Sequence, residues 1–139
     1  MGHWGVKSFE NDDAADAIDA GFDRVHGSIY DDMMDDRNPL PFDQVQKQLA
    51  GPDTLAAAIA ALDEAVGEPQ EAWDESARLA FVGVVVRHAE FGVAIPDAWR
   101  ARALDWLEHE AIDWQEATLR RLRREKEAAL LRSAARCQP

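Results

Sequence analysis

A single cysteine in 139 residues removes two structural devices at once. Cys137 has no partner for an internal disulfide, and no cysteine cluster can hold a metal. No run of about 18 apolar residues occurs, and the start lacks a basic region leading into an apolar stretch, so neither a membrane span nor a secretory signal is expected. A reducing cytoplasm is the expected location. Met1-Gly2 would allow N-myristoylation, but Val6 stands where Ser or Thr is wanted. There is no glycine-rich phosphate loop. Ser8, Ser28, Ser76 and Ser133 lack the strained turn and neighbouring base of a nucleophile. Alternating apolar and polar residues, the mark of a half-buried strand, are missing over any useful length, and no repeat is visible.

What is present is helix. The length suits one domain with one core. Asn11 is a good N-cap, and Asp12 and Asp13 place carboxylates where the first turn's free amides favour them. Ala14, Ile18, Phe22 and Val25 then form one stripe ahead of Gly27. The acidic segment Tyr30 to Arg37 reads as a solvated loop, stopped by Asn38-Pro39. Pro41 opens a short helix with Phe42, Val45 and Leu49, and Gly51-Pro52 opens another with Leu55, Ile59, Leu62 and Val66. From Asp74 to Phe91 the chain is apolar almost all round, which predicts a central helix ended by Gly92. Pro96-Asp97 restarts helix, and Trp114 to about Ala135 is rich in strong helix formers. The pattern leaves open whether residues 97–135 form one helix or two. The expected fold is an all-α single-domain bundle of five or six helices over residues 1–136, with residues 1–10 as an ordered docking arm and 137–139 as a disordered tail.

Charge is unevenly placed. Residues 1–75 carry 18 acids against 4 bases, net −14, and residues 76–139 carry 9 acids against 11 bases, net +2. A surface of this sign disfavours nucleic acid and anionic membranes and favours a protein partner with a basic surface. The basic run Arg120, Arg121, Arg123, Arg124 and Lys126 reads as a solvated helix face that could also pair with the acidic half, within one chain or in a homodimer.

Candidate chemistry is sparse. Asp31-Asp32-Met33-Met34-Asp35 matches the DDxxD spacing of magnesium-diphosphate sites, yet so short a chain cannot enclose the apolar cavity those sites serve, and an acidic loop is the better reading. Asp23 with His26 and Asp105 with His109 fall on common helix faces, where a metal could be shared. His88 lies inside the apolar sector of the central helix, as a buried structural imidazole or an acid–base group. His26, His88, His109 and Asp105 are therefore the metal candidates. Met1-Gly2-His3 could chelate a square-planar cation only if Met1 is retained. Trp4, Trp73, Trp99, Trp106 and Trp114 read mainly as core, with Trp106 and Trp114 sharing a groove.

The most specific pattern is the opening, Gly2, Trp4, Gly5, Phe9, Asn11, Asp12, Asp13, Ala14, Ala15 and Asp16. It predicts a plug in which Gly5 lets the chain turn, Trp4 and Phe9 fill a groove between helices, and Asn11 caps the helix carrying Asp12 and Asp16. These ten residues, about a tenth of the chain, resemble the start of a family of small bacterial proteins, domain of unknown function 4259. Members often place a tryptophan just after the last Asp, where this chain has Ala17. The resemblance implies a bacterial cytosolic helical protein and carries over no catalytic or binding residues. The leading expectation is a non-enzymatic, cofactor-free protein-interaction module of the immunity or regulator kind. A small metal-dependent hydrolase built on His26, His88 or His109 is the alternative.

Overall fold

The computed structural model describes residues 5, 7–35, 37, 39–67, 69–110, 116–133 and 136–137. They form an all-α bundle, as the periodicity predicts. Seven α-helices appear among them: α1 (Asp12–His26), α2 (Ser28–Met33), α3 (Phe42–Leu49), α4 (Pro52–Val66), α5 (Glu75–Glu90), α6 (Asp97–Glu108) and α7 (Ala117–Ser133). The helix beyond the expected six is α2. Asp31 and Asp32, read from sequence as loop, sit on its exposed side, because Tyr30 is buried and pulls the segment into a helical turn against α1. The described residues of the 97–135 stretch lie in two helices, α6 ending at Glu108 and α7 starting at Ala117.

Local chemistry sets the ends. The Asn11 side chain accepts the Ala14 N–H at 2.8 Å, and Asp74 accepts that of Ala77 at 2.9 Å. Each cap satisfies one of the four amides a helix start leaves free. Pro52 opens α4, where its missing N–H costs nothing. Gly92, at φ 83°, takes the left-handed turn after α5, as expected of a residue in that position. Gly5 does not need such freedom, since Gly27, Gly67 and Gly92 are the described residues at positive φ. A side chain there would instead strike the Glu10 carboxyl group.

α5 is the axis of the molecule, with every residue from Ala80 to Ala89 buried. α1 and α4 pack on it together with α6 and α7. α1 meets α4 so closely that a Cβ on Gly21 would lie 2.7 Å from the Ala58 backbone nitrogen. Phe81 stacks edge-on against Trp106, which also contacts Trp73; of the expected core tryptophans, Trp73 is buried and Trp99 and Trp106 are half-buried against the core. Trp4 and Trp114 lie outside the described residues. One short strand pairing departs from the all-helical reading: β1 (Ile95–Pro96) runs parallel to β2 (Arg136–Cys137). The backbone of Cys137, expected in the tail, is therefore tied to Pro96.

Candidate functional site

The leading arm lies across α5. A Cβ on Gly83 would fall 2.8 Å from the Phe9 Cα, so glycine alone lets the arm backbone lie on this helix. The arm is then fastened by a charge cluster under it. Glu127 of α7, with no exposed side-chain surface, accepts the Ser8 N–H at 2.9 Å and the Ser8 hydroxyl. Arg120, also fully buried, donates to the Ser8 Oγ at 3.0 Å, to Glu127 at 3.3 Å and to Glu110. Arg123 joins Glu127 at 3.0 Å and reaches Glu90. Asn11 completes the anchor, donating to the Ser8 carbonyl at 2.6 Å. Two residues of the basic run thus serve as internal structure, a correction to the solvated face expected from sequence. A helical wheel carries the signal: Arg120 and Glu127 share the face of Ala128 and Leu131, charges set inside an apolar stripe.

Beside the arm opens a groove of about 240 Å³. Its floor is Ala15 and Ile18 of α1, and its walls are Phe9 of the arm and Phe42 of α3, the latter 52% exposed. Glu10, Asp43 and Lys7 also line it, the Glu10 carboxylate accepting the Lys7 N–H at 3.0 Å. Arg87 closes one side with only 10% of its side chain exposed. It donates to Asp43 at 2.6 Å and to Gln46 at 3.2 Å, and it lies 4.8 Å from the Phe9 ring centre and 4.4 Å from that of Phe91. Its charge is thereby neutralised and covered by π faces. Among the described residues the lining holds no imidazole, thiol or hydroxyl; it offers an apolar trough with charged edges, a surface for recognition. Neither Arg87 nor this groove is foreseen from sequence, because the lining comes from three stretches far apart in the chain, residues 7–18, 42–46 and 87.

Along α1 and α2 the surface is acidic. Asp12, Asp13, Asp16, Asp19 and Asp23 are exposed on α1, and Asp31 and Asp32 on α2. The Asp31 carboxyl is held above the ordinary carboxylate range, first by the charge of Asp23 and then by burial and a hydrogen bond to Asp23, with Asp19 and Asp32 adding to it. These like charges crowd one another. Asp19 accepts the Tyr30 hydroxyl at 2.7 Å, and burial with that hydrogen bond raises the Tyr30 phenol. Asp35 is held by Arg37, which lowers its carboxyl, so the DDxxD residues do not converge on one point.

The metal candidates are not brought together. His26 donates through Nε2 to the Leu49 carbonyl at 2.7 Å, while its expected companion Asp23 faces Asp31. His88 is sealed in the core, its Nδ1 donating to the Val84 carbonyl and its Nε2 lying 2.9 Å from the Thr54 hydroxyl. Burial first, then the nearby Arg87 charge, lowers its pKa to about 4 against the pull of the Val84 hydrogen bond, so the ring is neutral. His109 does contact Asp105, at 3.2 Å, on an exposed end of α6. Among the described residues no three His, Cys, Asp or Glu side chains are grouped to hold a metal. Met1, Gly2 and His3 lie outside them. No helix of the described residues is long and apolar enough to cross a membrane.

No family model, curated protein or solved structure matches this chain.

Proposed function

We propose that the chain is a small acidic protein-interaction module, of the immunity or regulator kind, that receives a basic and partly apolar protein segment along α1, α2 and the arm groove. The observation that carries the reading is the presence, on one chain, of an open trough floored by Ala15 and Ile18 of α1 and of crowded, exposed carboxylates on α1 and α2, where the charge of Asp23 holds the Asp31 carboxyl above its ordinary range. A basic partner relieves that crowding when it binds, and complementary charge speeds its approach and sets its orientation. The resemblance of the opening residues makes a bacterial cytosol the setting in which to look.

The test is affinity capture from a bacterial lysate with the purified protein and with an Asp12→Asn, Asp16→Asn, Asp23→Asn, Asp31→Asn variant. A basic protein retained by the first, lost from the variant, and eluted by raised salt is the expected result. Capture that survives both the substitutions and the salt overturns it.

A further inference from the structure

We infer that residues 7–10 are a releasable strap, which lifts from α5 and α7 as one piece while the helical body stays folded, and takes one wall of the arm groove with it. The four residues are closed on themselves. The Glu10 N–H donates to the Lys7 carbonyl at 3.0 Å, and the Lys7 N–H donates to the Glu10 carboxylate at 3.0 Å, so the turn keeps its shape without help from the helices. Its hinge is Asn11, whose side chain faces both ways. Nδ2 holds the Ser8 carbonyl, whereas Oδ1 caps α1 through the Ala14 N–H. Breaking the first bond leaves the second, and the helix start stays capped.

What fastens the strap is mostly polar. Ser8 is its one buried residue, and Lys7, Phe9 and Glu10 are half-buried. Phe9 is its one apolar side chain, and that ring lies against the guanidinium groups of Arg87 at 4.8 Å and Arg123 at 5.9 Å. Little apolar surface therefore holds the strap down, the condition under which a segment opens ahead of the whole. The groups beneath it form a ladder that needs no strap. Arg120 keeps Glu110 and Glu127, Arg123 keeps Glu127 and Glu90, and Arg87 keeps Asp43 and Gln46. Lifting the strap strands no charge, and water takes the place of Ser8 on Glu127. Once raised, the strap removes Lys7, Phe9 and Glu10 from the groove lining and uncovers the Gly83 face of α5. The device thus sets how much of the trough is open, whether or not the trough takes a partner.

Native-state hydrogen exchange, read by NMR at urea concentrations below the unfolding transition, tests this on the unaltered protein. The Ser8 amide, bonded to Glu127, reports the strap, and the amides of Val84, Val85 and Val86 report the body. Corrected for intrinsic rate, the Ser8 amide is expected to exchange at least about a hundredfold faster than those of α5. Its dependence on urea is expected to be shallow, because lifting the strap exposes little surface, while the α5 amides follow the global slope. A Ser8 amide that falls short of that factor, or whose slope matches that of α5, overturns the inference, since the strap would then leave only with the fold. A double variant, Ser8→Ala with Phe9→Ala, removes attachments from the strap without adding bulk anywhere. It is expected to lose protection at position 8 and to keep its helical circular dichroism and a single cooperative urea transition. Loss of the helical signal or of the single transition, or protection at position 8 that is unchanged, overturns the inference too. Neither measurement involves a partner, so lysate capture is judged by itself.

Discussion

His88 and Glu127 show how differently two buried ionisable side chains behave. His88 is kept neutral: Val84 takes its Nδ1 proton, so its Nε2 needs a donor, and the Thr54 hydroxyl is placed to be one. The same hydroxyl lies 2.9 Å from the Gly51 carbonyl, so a single proton serves two acceptors. The unfolded chain binds a proton near pH 6.5 and the folded ring only near pH 4. Between those values the unfolded state carries the extra proton, and stability rises with pH. Acidification through that window is expected to cost on the order of 3 kcal/mol from this residue. Urea unfolding of the native protein and of His88→Gln from pH 7 to pH 4 checks it; a slope that His88→Gln leaves unchanged refutes the assignment. Glu127 is paired with Arg120 and Arg123. Glu127→Ala leaves the buried Ser8 N–H and hydroxyl without their acceptor, while Arg120 keeps Glu110 and Arg123 keeps Glu90, for an expected loss of about 1–3 kcal/mol. Glu127→Gln retains an acceptor for Ser8 and should lose distinctly less, readable in the same unfolding experiment.

At the scale of elements, Gly83 decides whether the arm lies on α5. Alanine in a helix interior is favoured over glycine by about 1 kcal/mol, so Gly83→Ala strengthens the helix taken alone. The added Cβ meets arm backbone, which has no rotamer to yield. The clash wins: amides of residues 7–10 are expected to exchange hydrogen faster in Gly83→Ala while those of α5 hold. Unchanged exchange in the arm would show that the backbone gives way instead. The elements themselves were largely legible in the sequence. Asn11, Pro52, Asp74 and Gly92 announce their helix ends by chemistry that needs no distant partner. α2 was not legible, because what makes Ser28–Met33 helical is Tyr30 burying itself beside Phe22, 5.4 Å between ring centres. β1 and β2 were hidden for the same reason, since two-residue strands far apart carry no period.

For the molecule as a whole, the sequence disclosed the imbalance of charge but not where its two halves would lie. The composition foretold an acidic first half. It could not foretell that Phe9, Ala15, Phe42 and Arg87 would border one trough, because such a site exists only after the helices have packed. Nor did the basic run declare that Arg120 and Arg123 would turn inward, leaving Arg121 and Lys126 exposed. The crowding of Asp19, Asp23, Asp31 and Asp32 is a cost borne by the folded state. Asp31→Asn is accordingly expected to raise the melting temperature at pH 7 and low salt, with the difference shrinking as salt is added. A melting temperature lowered by the change would mean that the carboxylate does structural work. The Ser8–Glu127 contact joins positions 119 apart in sequence, and this has a consequence for biogenesis. During synthesis residue 8 leaves the ribosome well before residue 127, so the arm has no anchor until α7 has been made. In that interval the seat at Gly83 is open to whatever chaperone or neighbouring nascent chain reaches it first.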